Sequence, residues 1–118
     1  MSNMGDLASK KCVPCEGGTP PMPRVDAEKM LGEVEGWNLA EDGVLKIQRR
    51  FKFEDFKSAL RFVNQVGDIA EAEGHHPDIS FGWGGATVTL YTHAVSGLSE
   101  NDFIMAAKIN KLELQSSG

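Results

Sequence analysis

The chain has three histidines, and all fall within nineteen positions: His75 and His76 side by side, then His93. Glu71 precedes them, Asp102 follows, and a proline comes directly after the pair in the run Glu71-Ala72-Glu73-Gly74-His75-His76-Pro77. Imidazole both gives and takes a proton near neutral pH, so the cluster points to acid–base chemistry or to a metal centre. Metal is the weaker reading. Adjacent residues of an extended chain point to opposite sides, and metal-binding histidine pairs favour spacings such as i, i+4. A nucleophilic site is weaker again, because no cysteine neighbours the histidines and Ser96 and Ser99 carry no local signature. Taken singly, each residue has an ordinary explanation. His93 suits a structural or solvated strand position, Glu71 a solvated helix face, Asp102 a helix cap and Trp83 a core. The joint spacing is what carries the functional reading.

The elements that must hold these residues follow from periodicity and punctuation. A short helix is expected from Asp26 to about Val34, with Asp26 as N-cap and Gly36 as its stop. Trp37 to Ala40 reads as a strand, and Asp42-Gly43 as a tight turn. From Val44 to about Phe53, Leu45, Ile47, Phe51 and Phe53 share one strand face at period two, with Arg49 interrupting it. The strongest helix signal runs from about Glu54 to Glu73, where Phe56, Leu60, Val63, Val66 or Gly67, and Ala70 recur at three and four. Gly74 suits the left-handed residue that ends such a helix. The histidine pair therefore begins just past a helix C-terminus, and Pro77 drives His76 into extended geometry.

Ile79, Phe81 and Trp83 alternate as a third strand, and Gly84-Gly85 turns the chain. Ala86 to His93 alternates again, which places His93 opposite the apolar face of Val88 and Leu90 or at the strand's end. Ser99-Glu100-Asn101-Asp102 is a capping-box variant that opens a last helix through about Leu112. The order is α-β-β-α-β-β-α. Hairpins join the strand pairs, so the expected fold is α+β, a four-stranded antiparallel sheet with helices on one face. The other face then requires cover from a partner subunit or a ligand, with the ribbon edges as candidate contacts of a homo-oligomer.

A length of 118 residues is one domain. The expected organisation is an irregular tail over residues 1–24, an ordered domain over 25–113 and a frayed end over 114–118. The net charge of −5 and the lack of a basic run argue against direct nucleic-acid binding. No apolar run approaches the ~20 residues of a membrane span. The first residues lack a hydrophobic signal core, so a cytoplasmic location is expected, with an organelle after transit-peptide removal as the alternative. Cys12-Val13-Pro14-Cys15 is a single CxxC, whereas zinc needs about four ligands. Gly17, Gly18, Pro20, Pro21 and Pro23 follow it, so it reads as a loop, and the two cysteines as non-catalytic; a redox switch or a metal shared between subunits is the alternative.

The chain resembles the pterin-4a-carbinolamine dehydratases, also known as the dimerization-cofactor family. Their signature is an acid, three positions, His-His-Pro, an aromatic, a later His and an Asp. Glu71, His75, His76, Pro77, Trp83, His93 and Asp102 match it without a gap, and the resemblance runs from about Asp26 to Leu112. It implies a four-stranded antiparallel sheet with three helices on one face and assembly as a homo-dimer or homo-tetramer. It implies dehydration of 4a-hydroxytetrahydrobiopterin to quinonoid dihydrobiopterin with no metal or other cofactor. On this resemblance His76 and His93 are the expected acid–base groups, and His75 orients the substrate. Glu71 and Asp102 orient the imidazoles, and Gly74, Tyr91 and Thr92 join the histidines in binding the pterin. One departure stands out: family members often carry Arg before the final Asp, and Asn101 stands here. The resemblance also implies two alternatives, a non-catalytic dimerization or assembly partner of another protein and a role in another pterin pathway.

Overall fold

Gly43 adopts a φ of +80°, a left-handed geometry that glycine enters without steric cost, and so lets β1 (Asn38–Asp42) fold back on β2 (Val44–Lys52). The computed structural model describes residues 4–12 and 20–116. A second hairpin joins β3 (Asp78–Gly82) to β4 (Gly85–Leu90), and β2 pairs antiparallel with β4 from Ile47↔Leu90 to Lys52↔Gly85. The result is a four-stranded antiparallel sheet in the order β1-β2-β4-β3.

The pleat sorts the side chains. Ile47 and Phe51 of β2 and Ala86, Val88 and Leu90 of β4 are buried on one face. Onto that face pack α3 (Phe56–Glu73) and α4 (Glu100–Ser116), with α2 (Arg24–Leu31) beside β1. Phe103, Ile104, Met105, Ala106, Ala107 and Ile109 of α4 fill the core. The opposite face carries Lys46, Gln48, Arg50, Lys52, Ser80, Thr87 and Thr89, with Gln48 Nε2 donating to Thr89 Oγ1 across strands at 3.0 Å. That face is polar, so hydrophobic burial alone does not require a partner subunit or a ligand to cover it.

Arg49 does stand among the inward residues of β2, and its charge is accommodated. Its guanidinium donates to Asn110 Oδ1 at 2.7 Å and to the Glu35 carbonyl at 3.2 Å, and lies over the Phe51 ring. Gly36, with φ of +89°, makes room, since a Cβ there would meet Arg49 Nε at 2.7 Å.

Several boundaries differ from expectation. The first core helix runs Arg24–Leu31 and starts after Pro23, so Asp26 lies inside its first turn rather than capping it, and Gly32 ends it. Proline before a helix presets the entry angle. α3 is capped by Asp55, which accepts the Ser58 N–H at 2.8 Å. The buried stripe of α3 is Ala59, Phe62, Val66 and Ala70, so the expected stripe holds at Val66 and Ala70, whereas earlier in the helix Ala59 and Phe62 are buried in place of Phe56 and Leu60, which are exposed, and Val63 is only partly buried. Trp83 is 76% exposed at the β3–β4 turn, and is neither core nor part of the histidine cluster. α4 extends to Ser116, past the expected end.

Within residues 1–24, read as irregular, α1 (Met4–Ser9) forms and packs on α4, burying Leu7 and Ala8. A six-residue helix is unstable alone and owes its existence to this packing. Cys15 and the Gly17-Gly18 stretch lie outside the described residues, as do Ser117 and Gly118. Among the described residues no helix is long and apolar enough to cross a membrane.

Candidate active site

The last turn of α3 and the chain after β4 converge on one cavity of about 540 Å³. Gly74, His75, His76 and Pro77 form one wall, and Tyr91, Thr92 and His93 form the other. Cys12, Glu73, Asp78, Ala94 and Asn101 complete the lining. All three histidines of the chain therefore face a single space.

The first wall is set by a helix end. Gly74 takes φ 66° and ψ 28°, its N–H returns to the Ala70 carbonyl, and the His75 N–H reaches the same oxygen at 3.2 Å. From there the pair diverges. His75 turns inward, where its Nε2 lies 2.7 Å from Asp102 Oδ1, with the imidazole 12% and the carboxylate 0% exposed. His76 turns outward, where its Nε2 lies 2.6 Å from Glu71 Oε2, and both groups are exposed. The two carboxylates thus sit behind the imidazoles and not among the cavity-lining residues. Among the described residues, no group of three or more His, Cys, Asp or Glu is disposed to hold a metal ion.

Asp102 does two jobs. It is the last residue of the Ser99-x-x-Asp102 capping box, and its Oδ2 accepts the Ser99 N–H at 3.0 Å. The same Oδ2 accepts the Thr92 hydroxyl at 2.9 Å. With its proton on Asp102, Thr92 Oγ1 can only accept from Ser99 Oγ, 2.8 Å away. An ionised carboxylate only accepts, so toward it His75 Nε2 acts as the donor, and in the neutral tautomer that makes this bond Nδ1 is an acceptor. The network ties α4, the strand exit and the histidine turn into one unit. Among the described residues no buried side-chain nitrogen or oxygen lacks a partner.

The second wall corrects one expectation. β4 ends at Leu90, so His93 is not on a paired strand but opens a 3₁₀ turn, His93–Val95. The turn is pinched at its base, where Thr92 and Gly97 exchange two backbone hydrogen bonds, of 2.7 and 3.3 Å. Gly97 is required there, because a Cβ would lie 2.6 Å from Pro21 Cβ. The His93 ring leans on Tyr91 at 4.3 Å between centroids, with Nδ1 3.2 Å from the Tyr91 hydroxyl. Lys46 Nζ lies over the other ring of that pair, 4.5 Å from the Tyr91 centroid.

Cys12 and Glu73 are lining residues that sequence reasoning missed. Glu73 Oε1 accepts the Cys12 N–H at 2.8 Å, and Glu73 Oε2 lies 3.6 Å from Lys108 Nζ. The Cys12 N–H holds the Glu73 carboxyl below its usual range, against the opposing effect of burial, with Lys108 assisting. Burial, reinforced by the Glu73 charge, pushes the Cys12 thiol up to about 12. The only signal in the sequence was the acid beside the histidine motif, which a solvated helix end explains equally well.

Known proteins share this arrangement of sequence. The family model described as pterin 4 alpha carbinolamine dehydratase matches residues 20–112. A protein of Azoarcus sp. (strain BH72), provisionally named a pterin-4-alpha-carbinolamine dehydratase, is 50% identical over 115 residues, covering 98% of this chain and 97% of its own. One of Halorhodospira halophila with the same provisional name is 55% identical over 106 residues, covering 90% of this chain and 96% of its own. A crystal structure of a transcriptional coactivator/pterin dehydratase from Brucella melitensis superposes with a TM-score of 0.72 at 35% identity, covering 78% of this chain and 97% of that one. With a family match across the sheet, both walls of the cavity and the capping box of α4, the chain belongs to the pterin 4 alpha carbinolamine dehydratase family.

Proposed function

We propose that this protein dehydrates 4a-hydroxytetrahydrobiopterin to quinonoid dihydrobiopterin by histidine acid–base catalysis. The observation that carries the reading is the convergence of His75, His76 and His93 on one cavity, with a carboxylate behind each member of the pair. The reaction breaks the C4a–O bond, and water leaves as the N5 proton is lost. One group must protonate the departing hydroxyl while another accepts the proton from N5.

His76 and His93 come from opposite walls and serve as this pair. Glu71 orients His76, and the Tyr91 hydroxyl orients His93. His75, its Nε2 proton committed to Asp102, offers Nδ1 as an acceptor that orients the pterin. Gly74, Pro77, Thr92 and the backbone around Tyr91 shape the slot for a flat bicyclic ring.

A positioned acid or base contributes ~100- to 10,000-fold. Stopped-flow dehydration of 4a-hydroxytetrahydrobiopterin tests the reading. His76→Ala and His93→Ala should each lose at least about 100-fold in turnover with unchanged circular dichroism. Near-native turnover in both variants overturns it.

A second reading, association with another protein or with further copies of this chain, is favoured by one feature. Phe56, stacked on Phe81 at 5.4 Å, is 44% exposed, and Leu60, Phe81 and Trp83 are exposed too. Solvent-facing aromatics of this kind mark contact surfaces. Light scattering on the purified protein distinguishes a homo-dimer or homo-tetramer from a monomer. A monomer overturns self-association, and a pull-down that captures no protein partner for an active monomer overturns the rest of this reading.

A further inference from the structure

The segment ahead of the family match, residues 4–12, reaches the cavity through one residue, Cys12, and is tied down at several points. Leu7 and Ala8 are buried against the core. Lys108 on α4 donates to the Ala8 carbonyl at 2.7 Å, and Lys10 pairs with Glu100 at the start of the same helix. Between them stands Glu73, the last residue of α3, with its side chain only 8% exposed. One of its oxygens takes the Cys12 N–H and the other faces Lys108. The Cys12 thiol rests near the Asn101 carbonyl at 3.7 Å, on the first turn of α4 and beside Asp102.

From this geometry we propose that Glu73 is a positioning residue that latches residues 4–12 over the end of α3, making Cys12 a third wall of the pterin site. The proposal rests on the dehydratase reading of the cavity. Its physical content is simple. Glu73 lies two residues before His75, so its side chain is joined to the histidine turn by chain and to the N-terminal segment by hydrogen bond. A neutral, compact thiol is a suitable flank for a flat heteroaromatic ring, and its site keeps it protonated. The His75–Asp102 bond is held separately by Thr92 and Ser99, so cutting the latch opens the wall and leaves the imidazole in place.

A lost wall removes binding that ground state and transition state share, which raises KM and spares kcat. The test is steady-state dehydration by the full-length protein, with equilibrium binding of 7,8-dihydrobiopterin as a second readout. Glu73→Ala should raise KM about five- to tenfold with kcat within about twofold. Glu73→Gln keeps an acceptor for the Cys12 N–H and should recover most of that loss. Cys12→Met keeps the backbone bond but lengthens the side chain into the cavity, and should also raise KM. Because both variants act through Cys12, their effects in the double variant should fall well short of additive.

Unchanged KM and unchanged dihydrobiopterin affinity in an active protein carrying Glu73→Ala and in one carrying Cys12→Met overturn the latch and leave the dehydratase reading standing. If Glu73→Ala fails to fold, Cys12→Met decides alone. A wild-type protein without dehydratase turnover overturns the proposed reaction. In that case weaker dihydrobiopterin binding by the variants still supports the wall, and unchanged binding overturns it.

Discussion

His75 and Asp102, 27 residues apart in the chain, meet through a 2.7 Å hydrogen bond in which the carboxylate is fully buried. The opposite oxygen of the same carboxylate holds the Thr92 hydroxyl and the Ser99 N–H. One side chain thus caps α4, anchors the exit from β4 and sets the tautomer of His75. Asp102→Asn keeps an oxygen for the Thr92 hydroxyl and the Ser99 N–H but turns an amide N–H toward His75 Nε2, which must then accept and carry its proton on Nδ1 instead. Turnover should fall about 100-fold or more, as expected when a positioned imidazole is lost. Asp102→Ala should destabilise the fold by about 3 kcal/mol, because buried donors are left unpaired. Urea melts alongside the kinetic assay check both outcomes.

The Glu71–His76 pair has a similar distance and the opposite setting. Both side chains are largely exposed, and exposed ion pairs contribute about 0–1 kcal/mol. Glu71→Gln should leave the denaturant midpoint almost unchanged and lower turnover only several-fold, since a neutral acceptor still orients the ring. A large loss of stability would show that the pair is structural.

Stability should fall on acidification, and Glu73 should be one reason. Its folded-state pKa is depressed, chiefly by the Cys12 N–H, so the folded state favours the ionised form. The stabilisation is present above the unfolded glutamate pKa of about 4.3 and is lost as pH falls through the lower folded value. Asp55, depressed by the Ser58 N–H, acts in the same direction. Thermal melts between pH 7 and pH 3 should show a shallower decline for Glu73→Gln than for the wild-type protein.

The Cys12 thiol should resist alkylation. Its pKa is raised from 9.0 to about 12 by burial first and by Glu73 second, and only the thiolate reacts. At pH 8 its reaction with iodoacetamide should be on the order of 100- to 1,000-fold slower than that of an unperturbed cysteine. Peptide mass spectrometry reads this in a Cys15→Ser background. Rapid labelling of Cys12 would show that the segment does not shield it.

Much of the fold was legible because its signals are local. The Asp42-Gly43 turn, the alternation of β2 and β4, the glycine that ends α3 and the capping box at Ser99 each need only a few residues to declare themselves. The phase of α3 was legible at Val66 and Ala70 but not in the first half of the helix. Phe56, Leu60 and Val63 repeat as regularly as Ala59, Phe62 and Val66, and only the sheet beneath selects which stripe is buried. Trp83 looked like core because its size favours burial, yet the turn at Gly84-Gly85 carries it into solvent. Helix α1 was missed because six residues have too little propensity of their own to register.

The sequence by itself determined the chemistry available: three imidazoles, two flanking acids, and a Gly-to-Pro frame that obliges His75 and His76 to diverge. These are properties of side-chain type and of backbone sterics over a few residues. Tertiary structure alone decided which acid serves which histidine, placing Asp102 behind His75 and Glu71 behind His76. It also decided that His93 stands on a pinched turn rather than a strand, and that Cys12 and Glu73 belong to the cavity. Each of those facts depends on contacts between segments far apart in the chain, and such contacts arise only when the sheet and helices are packed together.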